Sequence, residues 1–121
     1  MAALRRKAFG SEVAASDFIF QSIDGVKRRV RARVGRPYRE APLKWRCPSE
    51  IRGFERRYPD FTGVDSMQAL TLAMAALRAR IEDFLDKGGR VLDVDSGSEW
   101  PRRVLLDTFG YRWKKGRITR R

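Results

Sequence analysis

Gly63-Val64-Asp65-Ser66-Met67-Gln68-Ala69-Leu70 divides the chain into a strand-like half and a helical half. Asp65 follows a turn glycine and precedes the longest periodic run. Its carboxylate is placed to accept the backbone N–H of Met67 or Gln68. Gln68 is placed to return a bond to the Asp65 N–H, a capping box with Asp in the Ser/Thr position. Val64 and Ala69 occupy the staple positions. Past the cap, Met67, Leu70, Met74, Leu77, Ile81 and Phe84 recur at spacings of three and four, with Leu85 beside them. That period predicts an amphipathic helix. Ala69, Ala73, Ala75, Ala76 and Ala79 flank the stripe, where alanine favours helix and permits close approach of a neighbour. Lys87-Gly88-Gly89 stops the run.

Upstream of the cap the period changes to two. Asp17 to Ser22 is aromatic and β-branched, and Asp24-Gly25 then marks a hairpin turn. From Val26 to Val34 the pattern alternates. Val26, Val30, Ala32 and Val34 share one face, with Arg28 as the exception, and Lys27, Arg29, Arg31 and Arg33 share the other. One apolar face at a period of two is a half-buried strand. Gly35-Arg36-Pro37 ends it, and Pro37 and Pro42 bracket a predicted loop. Leu43 to Phe54 is a further strand candidate, with Leu43, Trp45 and Cys47 on one face; Pro48 makes it an edge strand or breaks it. Arg56 to Phe61 is a short candidate with Tyr58 and Phe61 inward. These connections are too short for crossover helices, so the sheet is expected to be antiparallel.

Beyond the helix, Arg90 to Val94 reads as a short strand and Asp95-Ser96-Gly97 as a turn. Pro101 suits a first helical turn, and Val104, Leu105, Leu106 and Phe109 form two turns closed by Gly110. The expected fold is α+β: an antiparallel sheet of about three to five strands on one long helix, with a short C-terminal helix. Residues 1–15 show no clear period and are read as an extension, 16–110 as one domain, and 111–121 as a basic tail.

The 121 residues suit a single domain. A hydrophobic fraction of 42% supports one modest core. A single cysteine, Cys47, rules out an intramolecular disulfide and fits a reducing compartment. The absence of histidine removes Ser-His-Asp and Cys-His catalysis and the usual zinc and non-heme iron sites. Arg5, Arg6 and Lys7 begin like a signal peptide, but Glu12 and Asp17 interrupt any apolar region. No run approaches the length needed to span a bilayer. The expectation is a cytoplasmic protein.

The formal charge is +12. Residues 1–10 carry +3 and residues 102–121 carry +7, so the ends hold most of the excess. Within the middle, residues 27–57 carry +9 and residues 82–101 carry −4. One side of the domain is expected to be basic and another acidic. Lys27, Arg29, Arg31 and Arg33 form a stripe about 20 Å long at strand rise per residue. With Arg36, Arg39, Arg46, Arg56 and Arg57 nearby, it has the means to follow a phosphate backbone, and Tyr38 and Trp113-Lys114-Lys115 add stacking and charge. No helix-turn-helix, zinc-finger or RNA-recognition signature accompanies it. A solvated face of an arginine-rich protein is the competing reading.

Trp45 and Cys47 on one strand face read as core. Asp93, Asp95 and Glu99 are acidic, but their spacing departs from an EF-hand loop, and a solvated turn is the better reading. Glu82 and Asp83 lie on the helix, and nothing selects a pair of carboxylates for acid–base work. Gly63, Asp65, Ser66 and Met67 resemble the attachment site of acyl carrier proteins, which implies a phosphopantetheine arm on Ser66. In that family the serine opens a helix of a small, acidic helical bundle. Here a strand-like half precedes it, the protein is basic, and Gln68, Ala69 and Thr71 stand where acidic residues are expected.

A broader resemblance rests on Val30-Arg31-Ala32-Arg33-Val34-Gly35-Arg36-Pro37, on Trp45-Arg46-Cys47-Pro48, and on Gly63 to Leu70 leading into a helix. This order resembles a family of small bacterial domains of unknown function over roughly residues 16–95. It implies a compact α+β domain with a sheet and one long helix, and it implies no activity. The reading that follows is a non-enzymatic binding or interaction domain, with no cofactor and no metal. The alternative is a weakly specific nucleic-acid binder using the basic strand and tail, and the remote alternative a carrier protein modified on Ser66. Homodimerisation through the alanine flank or a sheet edge is a further expectation.

Overall fold

The computed structural model describes residues 8–111. It is an α+β fold with seven strands and two helices among those residues: β1 (Glu12–Gln21), β2 (Lys27–Gly35), β3 (Tyr38–Ala41), β4 (Lys44–Cys47), β5 (Ser49–Arg52), β6 (Phe61–Gly63), α1 (Ser66–Asp86), β7 (Arg90–Leu92) and α2 (Arg102–Asp107). The strands form two antiparallel sheets, one in the order β5-β2-β1-β7 and one in the order β3-β4-β6. The helix α1 packs on strands of both.

The hairpin β1–β2 turns at Ser22 to Val26, where Gly25 takes a φ of 92°. In β2, Val30, Ala32 and Val34 are buried as their alternation requires. Val26 is half exposed, because it precedes the strand. β1 begins at Glu12, inside the stretch read as an extension. The pairing with β2 slips between Glu12 and Ala14, and this bulge interrupts the alternation that would have marked a strand.

The segment between Pro37 and Pro42 is not a loop but the strand β3, paired with β4. Leu43 sits at the hairpin tip with a φ of 57° and is 78% exposed, so it does not share the inward face with Cys47. The predicted strand from Leu43 to Phe54 breaks at Pro48: β4 belongs to the second sheet and β5 to the first. The crossings from β2 to β3 and from β4 to β5 meet where Gly35 donates its N–H to the Pro48 carbonyl at 2.9 Å. A Cβ on Gly35 would lie 2.6 Å from the Pro48 ring, so only glycine permits this approach. The predicted strand at Arg56 to Phe61 is instead irregular chain running into β6, although Tyr58 and Phe61 pack on the core.

In α1 the Asp65 carboxylate accepts the Gln68 N–H at 2.8 Å, as the cap predicts. The return bond lies one residue earlier than expected: Gln68 Oε1 accepts the Val64 N–H at 2.8 Å. The buried positions are Ala69, Ala73, Leu77 and Ile81. The helix is thus rotated from the predicted stripe: Met67 is 70% exposed, while Leu70, Met74 and Phe84 lie at the margin of the core. The cause is Gly63. A Cβ there would lie 2.5 Å from the Ala69 nitrogen, so the start of α1 rests directly on β6, and only small side chains fit between them. Two members of the alanine flank, Ala69 and Ala73, are therefore used inside the fold. At the other end, Phe84 stacks on Phe20 at 4.5 Å, with Phe54 edge-on to both. Leu105, Leu106 and Phe109 of the C-terminal turn complete one continuous core, and Arg102 ties α2 to Asp86 of α1 at 2.8 Å.

Candidate interaction surfaces

The predicted basic stripe lies on the face of β2 turned away from the core, but its members differ. Arg31 grips Glu12 through two contacts, of 2.5 and 3.0 Å, and reaches Asp17 at 2.7 Å. Hydrogen bonding from Arg31 is the main cause that holds the Glu12 carboxyl below its usual range, and the same bond raises the guanidinium. Arg33 makes a two-pronged contact with Glu50, at 2.5 and 2.6 Å, and lies 3.5 Å from Glu12. The Phe9 ring covers it at 3.7 Å, and the Arg33 side chain is only 12% exposed. These two arginines cross-link β1, β2 and β5, and their donors are largely spent. Lys27, Arg29 and Arg36 are exposed and have no ion-pair partner among the described residues. Arg46 pairs with Glu40, and Arg57 with Asp60. Trp113, Lys114 and Lys115 lie outside the described residues.

The acidic segment is similarly engaged. Glu99 accepts from Arg90 at 2.7 Å, and Asp83 faces Lys87 at 3.0 Å. Asp93 accepts the backbone N–H and the hydroxyl of Ser96 and, with less effect, the N–H of Asp95, which shapes the turn and holds its carboxyl low. Ser66 is exposed at the first turn of α1. Cys47 is fully buried, and burial pushes its thiol up to about 11, which suppresses the thiolate. Tyr38 donates to the buried carboxylate of Asp60 at 2.7 Å, and its hydroxyl is pushed up to about 12, first by burial and then by that bond.

A surface the composition does not announce lies on β1. Its outer edge is paired with β7 only at Ile19, Phe20 and Gln21. From Glu12 to Phe18 no strand among the described residues occupies that edge. Val13, Ala14 and Ala15 are exposed there. Beside Ala14, Ala15 and Ser16 runs a small apolar cleft, with Met74 and Leu77 of α1 and Phe109 among its walls. A free strand edge offers unpaired N–H and C=O groups in a row, and an adjoining apolar cleft offers room for alternate side chains of an added strand. No proline or lysine protects this edge; the bulge at Glu12–Ala14 and the charge on Asp17 limit it at its ends. The signal available in the sequence was Val13-Ala14-Ala15-Ser16 itself, small and uncharged ahead of an aromatic strand.

No helix of the described residues is long and apolar enough to cross a membrane. No curated protein and no solved structure matches the chain. A family model described as a domain of unknown function, DUF6968, matches residues 19–100, about two-thirds of the chain. That span runs from the covered end of β1 through β7 to Trp100 and contains α1 with its cap. On this match the chain belongs to that family of domains of unknown function.

Proposed function

We propose that the protein is a non-enzymatic interaction domain that takes an extended segment of a partner onto the open edge of β1. The observation that carries this reading is the mismatch in length between β1 and β7, which leaves the outer edge of Glu12 to Phe18 open beside an apolar cleft. Main-chain bonds to the edge supply affinity, and the cleft selects every second side chain. The partner segment is acidic rather than a second copy of this chain, because two chains of +12 repel one another. Selection of ten-residue peptides against the immobilised protein tests the reading. The expected winners are acidic, extended, and protect outward amides of residues 13–17 from exchange; Ala14→Lys abolishes their binding. Winners that protect another surface, or bind Ala14→Lys equally well, contradict it. A dimer by light scattering that Ala14→Lys dissolves would keep the edge and replace the partner.

A second reading, nucleic-acid binding, is supported by Lys27, Arg29 and Arg36, whose charges are uncompensated. Affinity for single- or double-stranded DNA or RNA must then fall steeply with salt. Lys27→Ser with Arg29→Ser weakens it, and removal of residues 111–121 separates the tail's share. Binding that ignores both changes excludes these residues as its site.

A further inference from the structure

Arg28 is the one charged residue on the apolar face of β2. It continues the alternation of Val30, Ala32 and Val34 and pairs across the hairpin with Phe20. It lines an open cleft at the hairpin end of the fold, walled by Phe20, Phe54 and Phe84. The apolar wall is aromatic. Phe20 and Phe84 stack at 4.5 Å with 15° between their planes, and Phe54 meets them edge-on at 5.1 and 5.5 Å. Ser22, Asp24, Val26 and Arg28 form the remaining lining.

The two charges at this cleft are not equivalent. The Asp24 carboxylate accepts from the Ser22 hydroxyl and, at 3.4 Å, from the Val26 N–H, so it is committed to the turn. Arg28 has no hydrogen-bond or ion-pair partner among the described residues, unlike Arg31 and Arg33 on the same strand. A planar guanidinium with all its donors unused is matched by a carboxylate, which takes two parallel N–H bonds. Phenyl rings beside it are matched by a flat apolar body.

We propose that this cleft binds a small amphipathic carboxylate, with its apolar, aromatic body on the half-exposed rings of Phe54 and Phe84 and its carboxylate on Arg28. The site is separate from the β1 edge, so Ala14→Lys leaves it unchanged.

The test uses 3-phenylpropionate as probe, with backbone amide shifts of the full chain followed by NMR. Saturable shifts are expected at Ser22, Val26, Arg28 and Phe54. Loss of the charged pair is expected to weaken binding about tenfold or more, both when Arg28→Gln is titrated and when the neutral 3-phenylpropan-1-ol replaces the acid. Arg28 is exposed, so the variant should keep the wild-type melting curve, which is measured alongside. Absence of saturable shifts overturns the proposal. So does equal affinity of Arg28→Gln, or of the alcohol, since either leaves only a non-selective apolar surface.

Discussion

The two ends of β1 have different surroundings. From Ile19 to Gln21 the strand has neighbours on both sides and Phe20 is locked into a three-ring stack. From Glu12 to Ser16 it has β2 on one side only, and small side chains face a cleft. Cross-strand ion pairs of Arg31 and Arg33 hold the open end in place without closing its edge. The difference separates two tasks along one strand: the covered end secures the fold, and the open end remains available for pairing.

Substitutions should break this contrast in a fixed order. Phe20→Ala at the covered end removes a buried ring that touches Phe54 and Phe84, and should cost about 3–5 kcal/mol in urea denaturation. Gly63→Ala pushes a methyl against the backbone of Ala69 and lifts the start of α1, the helix that backs both ends of β1; about 1–3 kcal/mol is expected by the same measurement. Asp65→Ala removes the cap of that helix for about 1 kcal/mol, while Ser66→Ala should change almost nothing. Ala14→Lys at the open end should stay within about 0.5 kcal/mol and yet remove strand addition. A large loss of stability in that variant would mean that the edge is structural.

Protonation tests contacts elsewhere in the fold. Glu55 accepts from Arg80 of α1 and from Tyr58, and the Arg80 bond is the main cause that lowers its pKa. Its folded value lies below its unfolded value, so its contribution is present above about pH 4.5 and fades as pH falls through the folded value. Glu55→Gln should flatten the acid limb of a stability–pH profile. Tyr38 acts in the opposite direction: its raised value of about 12 means stability is lost as pH climbs from about 10 to 12, and Tyr38→Phe should reduce that alkaline loss, to which the raised Cys47 and Tyr58 also contribute.

Much of the architecture was legible in the residues. The 21-residue helix, its Asp65 cap and the alternation of β2 follow from periods long enough to stand alone. The hidden parts have physical causes. A bulge at Glu12–Ala14 scrambled the period of β1, and two prolines disguised the four-residue β3. Pro48 moves the chain from one sheet to the other, which a single-strand pattern cannot express. Met67 left the core because Gly63 pulls α1 onto β6. The positions of Arg31 and Arg33 were readable, but their neutralisation was not, because Glu12, Asp17 and Glu50 come from other strands. Arg28 was visible as an exception to its face, and only the three phenylalanines from distant segments give that exception a setting.

Amide hydrogen exchange along β1 of the free protein tests the central claim most directly. Residues 19–21 should be protected throughout, whereas residues 13–17 should alternate, with amides facing β2 slow and outward amides fast. Uniform slow exchange from residue 13 to residue 21 would contradict the account, because the edge would then already be occupied.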